Sequence, residues 1–261
     1  MIKALFTAAT GMRAQQARID VIANNLANVN TTGFKKSNTA FEDLLYSTLQ
    51  DPGAQNGDGS TRPAGLQIGA GARLVSTSKV FTNGVLEETG RPLDLVVTGP
   101  GFFKLTDLAG GTVYTRDGNF SIDATGALVN SLGLKLDPPI TVPPGAEVSV
   151  SIDGTVTARI QGEENSQNVG QILLANFPNP AGLDSIGSNM MRETAASGAV
   201  IEGTPGSDGL GGLSQGFLEK SNVEVVNELV NLIVSQRAYE TNSRAISAAD
   251  EMLTTVNQIV R

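Results

Sequence analysis

Ser221-Asn222-Val223-Glu224-Val225-Val226-Asn227-Glu228-Leu229-Val230-Asn231-Leu232-Ile233-Val234-Ser235-Gln236-Arg237-Ala238-Tyr239 opens the stretch whose reading decides the fold. From Ser221 to Val260 there is no Gly or Pro, and Val225, Leu232, Tyr239, Ile246, Leu253 and Val260 recur every seven residues. A seven-residue apolar repeat is the seam of a coiled coil. Ser221 or Asn222 is expected to cap the helix, with Glu224 in its first turn. At 1.5 Å per residue such a helix runs roughly 57 Å, long for a globular protein. Its second seam positions are mixed: Leu229, Ala249 and Val256 are apolar, while Gln236, Ser243 and Asp250 are polar. A helix with so narrow a stripe is weakly stable alone and expects neighbours.

The other end of the chain carries the same period. Leu5, Met12, Ile19 and Leu26 are spaced by seven, and Ala8, Ala9, Ile22 and Ala23 widen the stripe. Residues 1–28 are therefore expected to form a second helix, weakened at Gly11. Between the helices the period falls to two. Strands are expected at Leu74–Phe81, Leu93–Val97, Thr112–Thr115, Glu147–Ile152, Thr155–Ile160 and Gln171–Phe177. Asp153-Gly154 between two alternating runs predicts a hairpin with a type I′ turn. Residues 51–66 are rich in Pro, Gly, Asn and Asp, and residues 198–216 hold seven glycines. Both stretches read as linkers or long loops.

The fold class that follows is α+β. Residues 1–35 with 221–261 form a discontinuous helical coiled-coil domain. Residues 36–72 with 205–220 connect it to an inserted, mainly-β domain of short strands at 73–204.

Composition narrows the function. The 261 residues contain no Cys, His or Trp, and the formal net charge is −8. Without Cys there is no disulfide framework or thiol nucleophile. Without His the usual proton shuttles of hydrolases are missing. The acidic balance disfavours nucleic acid as a partner. The ends differ in sign: residues 1–36 carry five basic side chains against Asp20, whereas residues 217–261 carry four basic and six acidic ones. Opposite signs favour a meeting of the two ends. No apolar run spans a bilayer, and the short apolar start before Gln15, Gln16 and Arg18 does not read as a cleaved signal.

Catalytic and metal motifs are weak. Ser76-Thr77-Ser78-Lys79 fits a Ser-x-x-Lys pattern but sits in a strand period and lacks its partner motifs. Glu87-Glu88, Asp117 with Asp123, and Glu163-Glu164 are carboxylate pairs that read as solvated turns. Asp117 to Gly126 lacks the oxygen spacing of a calcium loop. No cofactor, metal or enzymatic activity is expected.

One segment is unusual: Asn24-Asn25-Leu26-Ala27-Asn28-Val29-Asn30-Thr31-Thr32-Gly33-Phe34-Lys35 holds four Asn in its first seven positions. Asn favours caps and turns, and Gly33 can take positive φ, so a helix ends here in a specific turn. This segment resembles the N-terminal signature of the flagellar rod, hook and hook-associated axial proteins, carried by Asn24, Asn25, Leu26, Asn28, Thr32, Gly33, Phe34 and Lys35. Ser221 to Val230, then Gln236, Arg237, Ala238 and Tyr239, resemble the C-terminal signature. Phe41, Leu44, Leu45 and Tyr46, followed by Pro52 and Gly53, resemble the branch of the family that builds the distal rod.

That resemblance implies a structural subunit with no enzymatic role, exported by the type III apparatus without a cleaved signal. It implies terminal helices that pair and pack around a channel, a helical homopolymer as the assembly, and a segment at 41–66 that stiffens it. Partners would be proximal rod and hook proteins, outer ring bushings and a rod cap, on a shaft crossing the periplasm. Rival readings are a proximal rod or hook subunit, a secreted carbohydrate-binding β domain, and a carboxylate glycosidase.

Overall fold

In the computed structural model, residues 2–53, 63–107, 110–160 and 166–259 are described. The chain is α+β, with a helix at each end and short strands between. It divides into two units. The first comprises residues 1–26, 37–78 and 224–261, and the second comprises 27–36 and 79–223. Among the described residues no helix is long and apolar enough to cross a membrane.

The first unit contains helix α1 (Ile2–Ala27), strands β1 (Ser37–Asp43), β2 (Tyr46–Gln50), β3 (Leu66–Gly69) and β4 (Ala72–Lys79), and helix α2 (Val225–Ile259). At 35 residues α2 is about 52 Å long. It starts at Val225, three residues later than a Ser221 cap predicts and two later than an Asn222 cap predicts. Asn222 is engaged elsewhere, bonding to Lys36, Val80 and Thr82, while Ser221 accepts from the Val223 amide in a local turn ahead of the helix. Strands β1 and β4 form one two-stranded ribbon, and β2 and β3 form another. Gly71 meets α1 so closely that a Cβ there would lie 2.1 Å from Thr10 Oγ1, and Lys3 Nζ donates to Ser47 Oγ. The Tyr46 ring lies against its cross-strand partner Gly69.

This unit buries little. Its buried hydrophobic side chains, among the described residues, are Ala14, Ile22 and Ala249. A core of that size does not offset the ordering of two long helices.

The second unit holds β5 (Leu86–Glu88), β6 (Leu95–Thr98), β7 (Phe102–Thr106), β8 (Thr112–Thr115), β9 (Phe120–Ile122), β10 (Leu128–Asn130) and β11 (Lys135–Leu136). It continues with β12 (Ala146–Val150), β13 (Thr155–Ile160), β14 (Gln167–Gln171), β15 (Leu174–Asn176), β16 (Asp184–Gly187) and β17 (Met190–Arg192). It closes with β18 (Ile201–Gly203), β19 (Gly212–Gln215) and β20 (Phe217–Glu219). Nine of these strands make one sheet, running β16-β17-β8-β7-β11-β10-β9, with β15 on β7 and β18 on β15. Successive side chains of a strand point to opposite faces. On β7, Phe103 therefore enters a core with Leu95, Leu105, Phe120, Ile140, Val156 and Leu174, while Phe102 enters a second cluster with Tyr114, Phe177 and Met191. Phe103 stacks edge-on against Phe120, as Phe102 does against Phe81 and Phe177.

Two local expectations are corrected. The β12–β13 hairpin is not closed by a type I′ turn. Ser151 accepts from the Gly154 amide and only Gly154 has positive φ, at 82°. The Asp153 carboxylate accepts from the Thr155 amide and hydroxyl, which holds Asp153 right-handed and gives a type I turn with a glycine bulge. The glycine-rich 198–216 is not a free loop, since it contains β18 and β19. Its Gly211 is required by close backbone approach: a Cβ there would lie 2.7 Å from Thr98 O.

Strand β12 shows how an edge is covered. Gln215 accepts from the Val150 amide through Oε1, and its Nε2 donates to Val148 O and Pro92 O. A side-chain amide thus completes the ladder of a bare edge. Gln215→Ala is expected to cost about 1–3 kcal/mol of stability and to speed hydrogen exchange at the Val150 amide selectively.

Candidate functional site

Of the family-like residues, Asn28, Thr32, Gly33, Phe34 and Lys35 lie where the chain enters the second unit. Helix α1 ends at Ala27, where turns bonded Thr31 N–H to Asn28 O and Phe34 N–H to Thr31 O reverse the chain. Gly33 sits at φ 68°, and a Cβ on it would lie 2.7 Å from the Asp117 amide nitrogen, so no other residue fits. Its N–H donates to Glu219 O, and Asn189 Nδ2 donates to Thr32 O. Phe34 is half-buried under Lys79, whose Nζ stands 5.7 Å from the ring centroid.

Lys35 lies at the centre of this entrance. Its side chain is fully buried, and Nζ donates 2.7 Å to Glu219 Oε1 and 2.7 Å to Thr82 O. Glu219 Oε1 also accepts from the Gly84 amide at 2.8 Å, and Oε2 stands 3.6 Å from Arg116 Nη1. Burial pushes the Lys35 ammonium below its ordinary value, opposed by the hydrogen bond to Glu219. Asn222 adds a second tie, accepting from the Lys36 amide and donating to Val80 O and to Thr82. Three segments remote in sequence, 33–36, 80–85 and 219–222, are thereby cross-linked. In the first unit Asn25 makes a comparable two-point clamp, donating to Ser37 O and accepting from Ser37 N–H, each at 2.9 Å.

The signature is divided by this arrangement. Asn25, Gly33 and Lys35 face inward, and Leu26, Asn28, Thr32 and Phe34 are half-buried. Asn24, Gln236, Arg237 and Tyr239 face solvent, with Ala238 half-buried. Glu219 and Arg116 are the partners sequence reasoning does not single out. Arg116 follows β8 beside Asp117, and Glu219 ends β20 beside Lys220, so neither stands out as a lone charge in the sequence.

The expected seam lies as follows. Leu5, Met12, Ile19 and Leu26 on α1, and Leu232, Ile246 and Leu253 on α2, are half-buried. Val225 and Tyr239 are exposed, and Val260 lies outside the described residues. Buried positions fall three residues beyond expected seam residues at Ile22 on α1 and at Glu228, Ser235 and Ala249 on α2, with Ala14 and Asn25 buried as well. The helices meet at Gly11, where a Cβ would stand 2.9 Å from Asn242 Nδ2. Small and polar side chains occupy the inner line because the backbones come this close.

Of the stiffening candidates, Leu44 donates its amide to Gly71 O and is half-buried, whereas Phe41, Leu45 and Tyr46 are exposed, Leu45 at 89%. The Asp43 carboxylate beside the Tyr46 hydroxyl raises its pKa. Pro52 and Gly53 form a turn. Residues 54–62 of that segment lie outside the described residues.

The weak chemical motifs do not converge. Ser76 and Lys79 are three apart on β4 and so face opposite sides. Glu87 pairs with Lys220 at 3.0 Å, and Asp123 accepts from Ala124 in a turn. Asp117 accepts from the Asn119 amide, and burial raises its pKa. Glu163 and Glu164 lie outside the described residues. Among the described residues no cluster of carboxylates could hold a metal ion.

Lys104 is a peripheral ion-pair hub, 2.7 Å from Asp137 and 2.8 Å from Glu202. The bond to Asp137, then that to Glu202, raises its pKa above 10.5. A raised folded pKa contributes stability that is complete below the unfolded value and is lost as pH rises through the folded one. Lys104→Met is therefore expected to cost about 1–2 kcal/mol near neutral pH. Denaturation series run at rising alkaline pH should show the wild type converging on the variant.

Comparison with known proteins adds three family matches. Residues 5–35 match the "Flagella basal body rod protein" family, 96–158 the "Flagellar hook protein FlgE/F/G D1 domain", and 214–259 the "Flagellar basal body rod FlgEFG protein C-terminal" family. The flagellar basal-body rod protein FlgG of Borreliella burgdorferi is 46% identical over 100% of both chains. FlgG of Buchnera aphidicola from Schizaphis graminum is 45% identical over 99% of this chain and 100% of its own. FlgG of Caulobacter vibrioides is 45% identical over 99% of each. With identity of this level over the whole length, the chain belongs to the FlgG family of flagellar basal-body rod proteins.

Proposed function

We propose that the chain is a structural subunit of the distal rod, polymerising head to tail into a rigid helical tube that carries motor torque to the hook. The observation that carries this reading is the apolar surface of the first unit. On α2, Val226, Leu229, Val230, Ile233 and Val234 are between 42% and 68% exposed. These residues repeat at helical spacing, so they form one continuous stripe. A stripe of that kind marks an interface, and heterologous contacts that do not close generate filaments.

In this reading residues 1–35 with 221–261 are the assembly core. Leu5, Met12, Ile19 and Leu26 pair with Val225, Leu232, Tyr239, Ile246, Leu253 and Val260 as a coiled coil once neighbours surround them. Residues 36–72 with 205–220 connect this core to an outer β domain at 73–204. Phe41, Leu44, Leu45, Tyr46, Pro52 and Gly53 belong to the stiffening segment. Proximal rod and hook proteins adjoin the two ends of the polymer, and ring bushings surround it. A rod cap and the type III export apparatus deliver its subunits across the periplasm. The activity is mechanical and requires no cofactor or nucleic acid.

Electron microscopy of the purified full chain, beside one lacking residues 1–35 and 221–261, tests the reading. Straight rods from the full chain alone are expected. Rods from both, or persistent monomers from both, would overturn it. Removal of residues 41–66 is expected to leave a folded second unit and a softer filament.

A further inference from the structure

The second unit contains an Asn-Gly pair, Asn83-Gly84; the other in the chain, Asn56-Gly57, lies outside the described residues. At such a pair a main-chain nitrogen can attack the preceding side-chain amide, because glycine has no Cβ to obstruct the approach. Gly84 N would lose its proton to a base and bond to Asn83 Cγ. The Cγ–Nδ2 bond then breaks, ammonia leaves, and a five-membered imide remains. Water opens the imide at either carbonyl, giving aspartate or isoaspartate at position 83.

The fold holds the attacking nitrogen. Gly84 N–H donates 2.8 Å to Glu219 Oε1, which also accepts from Lys35 Nζ at 2.7 Å. Glu219 is 1% exposed. A buried anion on the N–H opposes its deprotonation, and an oxygen already shared with an ammonium is a poor base for that proton. The flanking backbone is pinned as well: Thr82 O accepts from Lys35 Nζ at 2.7 Å, and Val85 O accepts from the Lys220 amide at 2.9 Å. A Cβ on Gly84 would lie 1.8 Å from Lys220 O, so this glycine is flush against the neighbouring backbone. Asn83 itself is only half-buried. Its protection therefore rests on the glycine nitrogen and not on burial of the asparagine.

We propose that Asn83 is a deamidation site gated by folding. It reacts while the chain is unfolded, and the Gly84–Glu219 bond shuts it once the second unit closes. Isoaspartate routes the main chain through Cβ and Cγ, adding one carbon between the pinned Thr82 O and Gly84 N. A chain that has reacted in this way does not close the entrance. The site thus retires subunits that have stayed unfolded too long, whether or not the folded chain polymerises.

The test incubates the full-length protein and a free peptide of residues 81–86 in one mildly alkaline buffer. Asn83 is followed by peptide mapping, with electron-transfer fragmentation separating aspartate from isoaspartate. The folded protein is expected to react roughly ten- to a hundredfold more slowly than the peptide, the range that a hydrogen bond to a charged acceptor sustains. Hydrogen exchange at the Gly84 amide is read in the same samples across sub-denaturing urea. Exchange and deamidation should rise together, since both need the same opening. Chains aged in urea and then refolded complete the test: isoaspartate at position 83 should be confined to the protease-sensitive, unfolded fraction. Reaction of the folded protein at the peptide's rate, or a urea response of deamidation unlike that of Gly84 exchange, overturns the gate. Isoaspartate spread evenly between folded and unfolded chains overturns its consequence.

Discussion

Glu219→Gln is expected to lower the unfolding free energy of the second unit by about 3–5 kcal/mol, and Lys35→Met by somewhat less. The order follows from the geometry. Glu219 is the shared anion of Lys35, Arg116 and the Gly84 amide. Neutralising it strands two buried cations. Removing the Lys35 ammonium instead leaves Glu219 with Arg116 at 3.6 Å and the Gly84 amide at 2.8 Å, so part of its compensation survives. Chemical denaturation followed by circular dichroism measures both. Losses under about 1 kcal/mol for both variants would mean that the cluster is solvated in practice and does not hold the entrance together.

Val230→Asp combined with Ile233→Asp is expected to abolish filament formation and to leave the denaturation midpoint of the second unit unchanged. Val230 and Ile233 are already 53% and 49% exposed in the isolated chain, so charging them removes little internal packing. In an assembled polymer each would place a carboxylate in an apolar contact, at a cost of several kcal/mol for every interface. Sedimentation of assembled material together with denaturation of the soluble fraction separates the two effects. Filaments of normal length from the double variant would show that the stripe is not the polymer contact. A lowered midpoint without loss of filaments would mark it as internal packing.

How much of this was legible in the sequence depended on whether a feature was local. Thr112–Thr115 and Thr155–Ile160 form strands with the predicted limits, because period-two alternation and Gly or Asp-Gly punctuation act within a few residues. Helix α1 likewise ends at the Asn-rich segment. The start of α2 was misread because Ser221 and Asn222 are good caps locally, and only the fold reveals that Asn222 is spent on residues 36, 80 and 82. Glycine counting failed at 198–216 for a similar reason. It does not distinguish a glycine that frees the chain from Gly211, which lets two backbones touch. At the candidate site, Gly33 and Lys35 stood out through the resemblance. Nothing in the order of residues announces that Lys35 is buried or that its partner is Glu219, since burial of a charge is decided by strands far away in sequence.

The Lys35–Glu219 bond also has a kinetic side. Its partners are 184 residues apart. The β12–β13 hairpin can close on its own within a short loop, whereas the entrance can close only after nearly the whole second unit has been brought together. A chain delivered from either end carries half of the pair with no counter-charge until most of its length has emerged. Until then Lys35 and Glu219 remain in water, and the open entrance does not resist being drawn out as an extended strand. The final tie is made late, by a contact that seals the unit against the withdrawal the earlier state permits.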